Sequence, residues 1–456
     1  MNIGITKYES TGSSSFACLS GEFVPPTTDK NKFQDVPKNV GCGITKHGLS
    51  AISAAVFIVG EMAGSGILAL PRAIVDSGWI GLILLTVLCL TSGYGGTRLG
   101  LCWEILEERY PEYRGISRNP YPTIASRAVG RWGSILVSAC IQITLFGAGV
   151  VYLLLASQNV QDLLKPLLPR VTFCTWFIIF AILITGPMWL GSPKDFWIVG
   201  VGAVMTTVLA CVFIFIQMIF DGINSRAIVH HNPKSFNDFF LSFGIILFSF
   251  GGASTFPTIQ NDMIDRGKFK RSVYIGFAVI LLLYLPLTVS GYIVYGDRMN
   301  ANIILSLGRS IFVVLANISM ASHLILAFLI VVNPVCQELE NIFDIPHEFC
   351  VLRCVIRTCM VLVMVIIGES MPHFDKLLAL VGGSTVSLLT FVLPNLFYMK
   401  LCDQESPGWK KRKIPLHMRV FMWELIIIGL IGGIAATYSA FLSIINSFNF
   451  SKSCFL

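Results

Sequence analysis

Near the start of the chain, Gly60-Glu61-Met62-Ala63-Gly64-Ser65-Gly66 sets a carboxylate one turn before a glycine cluster, inside an otherwise apolar run. Glycine weakens a helix and Pro71, a little further on, removes another backbone donor. The run is therefore expected to break. Where a helix unwinds, amides of one half and carbonyls of the other lose their partners. A half-helix starting at Ser65 and Gly66 would offer N–H donors, and the positive end of its dipole, to a carboxylate. A second run, 243–257, holds Phe250, Gly251 and Gly252 ahead of Pro257. Carbonyls near Phe250 and Gly251 would accept from an ammonium. Donors at one break and acceptors at the other suit a zwitterion such as an α-amino acid. The competing reading is close helix packing through small residues.

Few titratable groups lie inside the apolar stretches. Glu61 is the sharpest, because ionisable residues at membrane depth are functional candidates by default and a buried carboxyl holds its proton more tightly. It is a candidate for proton coupling, against a structural carboxylate paired with a helix end or a cation. His323 is a second candidate, since imidazole titrates between pH 5 and 8, against an interior imidazole with its bonds satisfied. The Tyr152 hydroxyl is placed to touch a substrate or to pack. Arg98 and Asp262 are expected to snorkel or to make gating contacts. Glu369 and Asp375 are expected on a solvated rim. No Ser/His/Asp arrangement, phosphate loop or metal-ligand spacing occurs, and the thirteen Cys are scattered without a C-x-x-C pair. Enzyme chemistry, a metal, a cofactor and a disulfide framework are therefore not expected.

The elements that must position these groups follow from composition. Of 456 residues, 54% are hydrophobic and 13% charged, against about 25% charged in soluble domains. Mean hydropathy is +0.72. The class is an all-α polytopic membrane protein. The net charge of +7 is spread over loops, which speaks against nucleic acid. A membrane helix needs about 20 apolar residues. Eleven stretches qualify, at 50–74, 78–101, 133–158, 172–191, 196–220, 238–259, 272–295, 310–333, 351–369, 375–399 and 421–446. All but one of the eight Trp lie near their ends, as an aromatic belt would. With the N-terminus in the cytosol, 23 Lys and Arg fall on the cytosolic side and 9 on the other, which sets that orientation. Residues 1–49, polar and without a long apolar run, read as a disordered cytosolic tail, and 447–456 as a short extracellular or lumenal one.

The two interrupted runs begin the first and sixth stretches. Five helices apart, they fit inverted repeats, one at about 50–220 and one at about 238–399, with 421–446 as an extra helix. Paired Gly/Pro-interrupted segments in two halves point to a binding site at the midplane.

At these residues the sequence resembles the amino acid/auxin permease family, over about 45–446. The resemblance rests on four stretches. They are Gly64-Ser-Gly-Ile-Leu-Ala-Leu-Pro71 with Gly78-Trp79, Tyr152 to Asn159-Val160, Gly244 to Phe250 with Phe256-Pro257 to Met263, and Gly382-Gly-Ser-Thr385 leading to Pro394 and Phe397. The last two are similar to the vesicular inhibitory amino-acid transporter branch. The resemblance implies a LeuT-like fold of eleven helices and secondary transport of amino acids. Sodium-coupled members carry Asn where this chain has Gly60 and a Thr in the eighth helix, where 327–334 has none. Proton coupling is thus expected over sodium. The glycines around the breaks favour small neutral substrates. The site residues implied are Gly64, Ser65, Gly66, Tyr152, Phe250, Gly251 and Gly252, with Glu61 and His323 for the proton. Symport at a plasma membrane, exchange at a vesicle or lysosome membrane, and a transporter-like amino-acid sensor all remain open, as do protein partners.

Overall fold

The computed structural model describes residues 48–450, apart from 116, 118, 191–195, 225–228, 232–234, 347 and 348. Most of the expected N-terminal tail, the join at 191–195 and residues 451–456 lie outside the described residues. Among the described residues the chain is helical, with one isolated bridge, Leu49 to Met263, in place of sheet.

The first expected stretch is two helices. α1 (Ala51–Met62) starts at Ser50, whose side chain accepts from Ser53 N at 3.1 Å. After Ala63, Gly64 and Ser65, α2 (Gly66–Ser77) leaves at 60° to it. Gly78, at φ +71°, ends α2 in a conformation that favours glycine. Next come α3 (Ile80–Arg109), α4 (Pro120–Val129), α5 (Arg131–Leu164), α6 (Phe173–Trp189) and α7 (Phe196–Asn224). α8 (Phe236–Ser249) opens on a capping box of Ser235 and Asp238. Six residues later comes the short α9 (Phe256–Asn261). The remainder is α10 (Phe269–Tyr295), α11 (Ile311–Ile342), α12 (Val351–Ser370), α13 (Phe374–Val381), α14 (Leu393–Asp403) and α15 (Leu416–Phe450).

Every expected stretch thus coincides with a helix or an interrupted pair. Among the described residues, eight helical segments, α13 through α14 counted as one, are long and apolar enough to cross a membrane alone, and α1 with α2 make a ninth crossing as a bent pair. α6 and α8 are apolar but shorter. Exposed Leu90, Ile182, Leu282 and Ile434 ring the outside of the bundle, which suits lipid rather than water.

Several helices outrun the apolar stretches that announce them. α11 passes through Pro334 to Ile342 rather than stopping before it, because neighbouring helices compensate a lost bond in a membrane bundle. α15 continues to Phe450, past the expected boundary at 446. Gly48 and Leu49, assigned to the tail, are ordered: Leu49 N donates to Asp262 O at 2.8 Å, and Ile264 N to Leu49 O at 3.0 Å. The tenth stretch is no uniform helix. Between α13 and α14 it widens into π-helical turns at Gly382–Val386 and Leu388–Val392. There Ser387 Oγ donates to Gly429 O of α15 at 2.6 Å. Packing pairs recur: α5 meets α13 and α6, and α11 meets α7 and α12, while α2 lies on α8 and α1 on α10.

Candidate functional site

Both interruptions lie in the interior. α1 ends tightly, with Ala63 N bonded to Val59 O and Gly64 N to Met62 O at 2.8 Å. The amides of Ser65 and Gly66 then have no acceptor among the described residues, and they open α2 with its dipole behind them. Ser65 is fully buried and its Oγ has no hydrogen-bond partner among the described residues. Such a group costs about 1–3 kcal/mol unless a ligand or water satisfies it. A Cβ at Gly66 would lie 2.5 Å from Ser249 Oγ and 2.9 Å from Ser249 Cα. The start of α2 therefore rests on the end of α8.

The second interruption completes the floor. Phe250 N donates to Leu247 O and Gly251 N to Phe248 O, after which the helical ladder stops. A Cβ at Gly252 would come within 3.0 Å of Met62 Cγ, and one at Gly251 within 3.2 Å of Val386 Cγ1. Tyr284, on α10, ties the two breaks together. Its hydroxyl reaches both Met62 O, at 2.7 Å, and Ser249 O, at 3.1 Å. A tyrosine buried in an apolar run usually finds a partner for its hydroxyl; the partner is what sequence alone does not name.

The wall comes from α5 and α11. A Cβ at Gly64 would sit 2.9 Å from the Tyr152 hydroxyl and 3.5 Å from His323 Nε2. The two rings meet edge-on with centroids 6.4 Å apart. His323 Nε2 is buried without a partner among the described residues, while Nδ1 is held by Ala203 and Thr207 of α7. Glu61 is half-buried, within electrostatic reach of Tyr152, and makes no hydrogen bond or ion pair among the described residues. Gly60 lies against Val204 of α7, whose Cγ2 would be 2.7 Å from an added Cβ.

The structure therefore gathers Gly64, Ser65, Gly66, Tyr152 and His323 at one locus, with Gly251 and Gly252 under it and Glu61 one turn away. Phe250 stands at the break by its backbone only. Its ring is fully buried and turned toward Phe277 and Tyr284 of α10. Thr207, Ser249 and Tyr284 are the residues that sequence reasoning passed over.

Buried polar contacts lie on both sides of this locus. On the side where α2 ends, residues 296–310 fold inward, burying Met299, Asn302, Ile303 and Ile304. Arg72 of α2 donates to Met299 O at 2.6 Å, and Asn302 Nδ2 to Asn159 Oδ1 at 2.8 Å. On the other side, buried Arg266 pairs with Glu107 of α3 and donates to Asn261 O and Arg114 O, both at 3.1 Å. Glu369, expected on a rim, is instead buried at 3% exposure. Arg98 is held between the rings of Tyr94 and Tyr398, 4.4 and 5.0 Å away. Cys174, at the first turn of α6, is disulfide-bonded, although its spacing predicts no such bond. The other nine cysteines of the described residues are free thiols. A groove lined by Leu380, Gly383, Leu388, Ile434 and Phe441 opens on the outer face of α15, away from the breaks.

An all-helical bundle whose first and sixth crossings are interrupted at one buried locus is the architecture of LeuT-like secondary transporters. Solved structures match it in fold. Mhp1, a nucleobase-cation-symport-1 family transporter, aligns over 92% of this chain and 98% of its own with a TM-score of 0.51. A manganese transporter of Eremococcus coleocola aligns over 88% of each chain at 0.53. Both are 13% identical to this sequence. The chain matches the transmembrane amino acid transporter protein family over residues 47–442 and belongs to it. Relatives in Arabidopsis thaliana include amino acid transporter AVT1B, 24% identical over 86% of this chain and 70% of its own. AVT3B is 25% identical over 85% and 91%. The protein is thus a multi-pass integral membrane transporter of amino acids, not an enzyme.

Proposed function

We propose that this protein moves small neutral amino acids by alternating access, driven by protons and not by sodium, with its N-terminus in the cytosol. The observation that carries the reading is the pair of unsatisfied amides at Ser65 and Gly66, beside the unsatisfied Ser65 Oγ and His323 Nε2. Donors at a helix start suit the substrate carboxylate. Narrow clearances around Gly64 and Gly252 favour a short side chain. Glu61 supports the proton, because a carboxyl without a cationic partner at membrane depth can bind and release one during the cycle. Gly60 supports independence from sodium, because it offers no side-chain oxygen.

The test is uptake of a labelled amino-acid mixture into proteoliposomes with an imposed pH gradient and no sodium. Accumulation that a protonophore abolishes is the expected result, and the retained label names the substrate. Flux restored only by sodium would overturn the coupling. No flux under any gradient would favour a sensor.

A further inference from the structure

His323 is 1% exposed, and its two nitrogens live in different surroundings. Nδ1 lies 2.9 Å from Ala203 O and 2.7 Å from Thr207 Oγ1, both on α7. A carbonyl oxygen only accepts, so the short contact to Ala203 requires the proton on Nδ1. Thr207 agrees. Its own hydroxyl donates to Ala203 O at 3.0 Å, which leaves its lone pairs to accept from the imidazole. Ala203 therefore selects the tautomer with N–H at Nδ1 and a bare lone pair at Nε2, and Thr207 is compatible with it. That lone pair is buried without a partner. It points at the break: an added Cβ at Gly64 would meet Nε2 at 3.5 Å and the Tyr152 hydroxyl at 2.9 Å. Gly64 thus lets the Tyr152 hydroxyl and His323 Nε2 come close to the backbone at the break.

We propose that His323 is the hydrogen-bond acceptor for the substrate ammonium, and that Thr207 and Ala203 act through it by fixing the tautomer. The inference rests on the amino-acid reading above and adds the group that reads the amino end. The division of labour is chemical. The amides of Ser65 and Gly66 only donate and suit a carboxylate. Nε2 in this tautomer only accepts and suits an N–H. Glu61 is then left free of the ammonium. A recognition rule follows: substrates need at least one N–H on the amino group. Primary and N-methyl amino acids satisfy it, and N,N,N-trimethyl betaines do not.

The test uses the full chain in proteoliposomes and in detergent, with the amino acid retained in the uptake experiment and its N,N,N-trimethyl analogue as probes. His323→Phe should weaken binding of the amino acid about ten- to a hundredfold, the loss of one hydrogen bond to a charged group. His323→Gln, whose amide oxygen can accept, should recover part of that loss. Thr207→Val should raise KM and Thr207→Ser should restore it, which a merely structural threonine would not require. Nitrogen-15 spectra of labelled imidazole should report the Nδ1–H tautomer before any substrate is added. An unchanged Kd in a folded His323→Phe protein, the opposite tautomer, or equal binding of the betaine would each overturn the proposal while leaving amino-acid transport standing. Failure of the unmodified protein to bind any amino acid would overturn both.

Discussion

In the proposed proton-coupled cycle, Glu61 and the residues beyond it divide the work between two chemistries. The glycines and Ser65 hold backbone donors open, and the carboxylate one turn earlier has no cation or hydrogen-bond donor among the described residues. Glutamine keeps the shape of a protonated carboxyl and cannot release a proton. A pH difference of one unit is worth about 1.4 kcal/mol per proton, and a potential of 100 mV about 2.3 kcal/mol per charge. Together they drive roughly a few hundred-fold accumulation for one proton. With Glu61→Gln this accumulation should collapse toward equal concentrations, while exchange of labelled for unlabelled substrate persists. Proteoliposome uptake and counterflow measure the two separately, and full proton-driven accumulation in the variant would remove Glu61 from the mechanism. The breaks were legible as Gly-Ser-Gly and Gly-Gly because helix-weakening residues act locally. Thr207 and Ala203 were not, because they meet His323 only across separations of 116 and 120 residues. The side chain of Phe250 was not legible either. Its place in the chain is at the break, yet packing turns its ring toward Phe277 and Tyr284.

At the level of elements, hydropathy located the crossings and misjudged their ends. α5 runs to Leu164 and α11 to Ile342, because a helix continues through polar turns that an apolar window excludes. α4 was missed, although Pro120 at its start, Gly130 after its end and an apolar stripe of Tyr121, Ile124, Ala125 and Ala128 spell a short amphipathic helix. The π-helical turns were hidden because they follow from packing against the glycine face of α15. Coupling between the two interrupted crossings is also an element property. Tyr284 joins the end of α1 to the end of α8, and Leu49 joins the start of α1 to the segment after α9. Arg266 fastens that segment to α3 through Glu107. Removing one partner of a buried pair leaves an uncompensated charge, at about 3–5 kcal/mol. Arg266→Met should therefore lower the unfolding temperature in detergent sharply, and Arg266→Met with Glu107→Leu should recover much of the loss. Equal unfolding temperatures for the single and double variants would show that the pair does not hold the segment.

Over the whole molecule, the proposed orientation makes a prediction that thiol chemistry can check. With the N-terminus in the cytosol, as proposed, alternation places the start of α6 on the opposite side. Cys174 sits there and is disulfide-bonded. Disulfides persist outside the reducing cytosol, so a bonded Cys174 fits the face that the proposed orientation gives it. Cys350 caps α12 at the other face, half-buried and free. Thiol chemistry can therefore read the topology without tags. In sealed vesicles with the cytosolic face outward, an impermeant maleimide should label Cys350 and spare Cys174, as peptide mass spectrometry resolves site by site. Reductant alone should change little at Cys174, because the bilayer still separates it from the reagent. Detergent together with reductant should then label it. Labelling of Cys174 in intact vesicles once an impermeant reductant is present, with Cys350 protected, would overturn the proposed orientation. The face from which the proton reaches Glu61 would reverse with it.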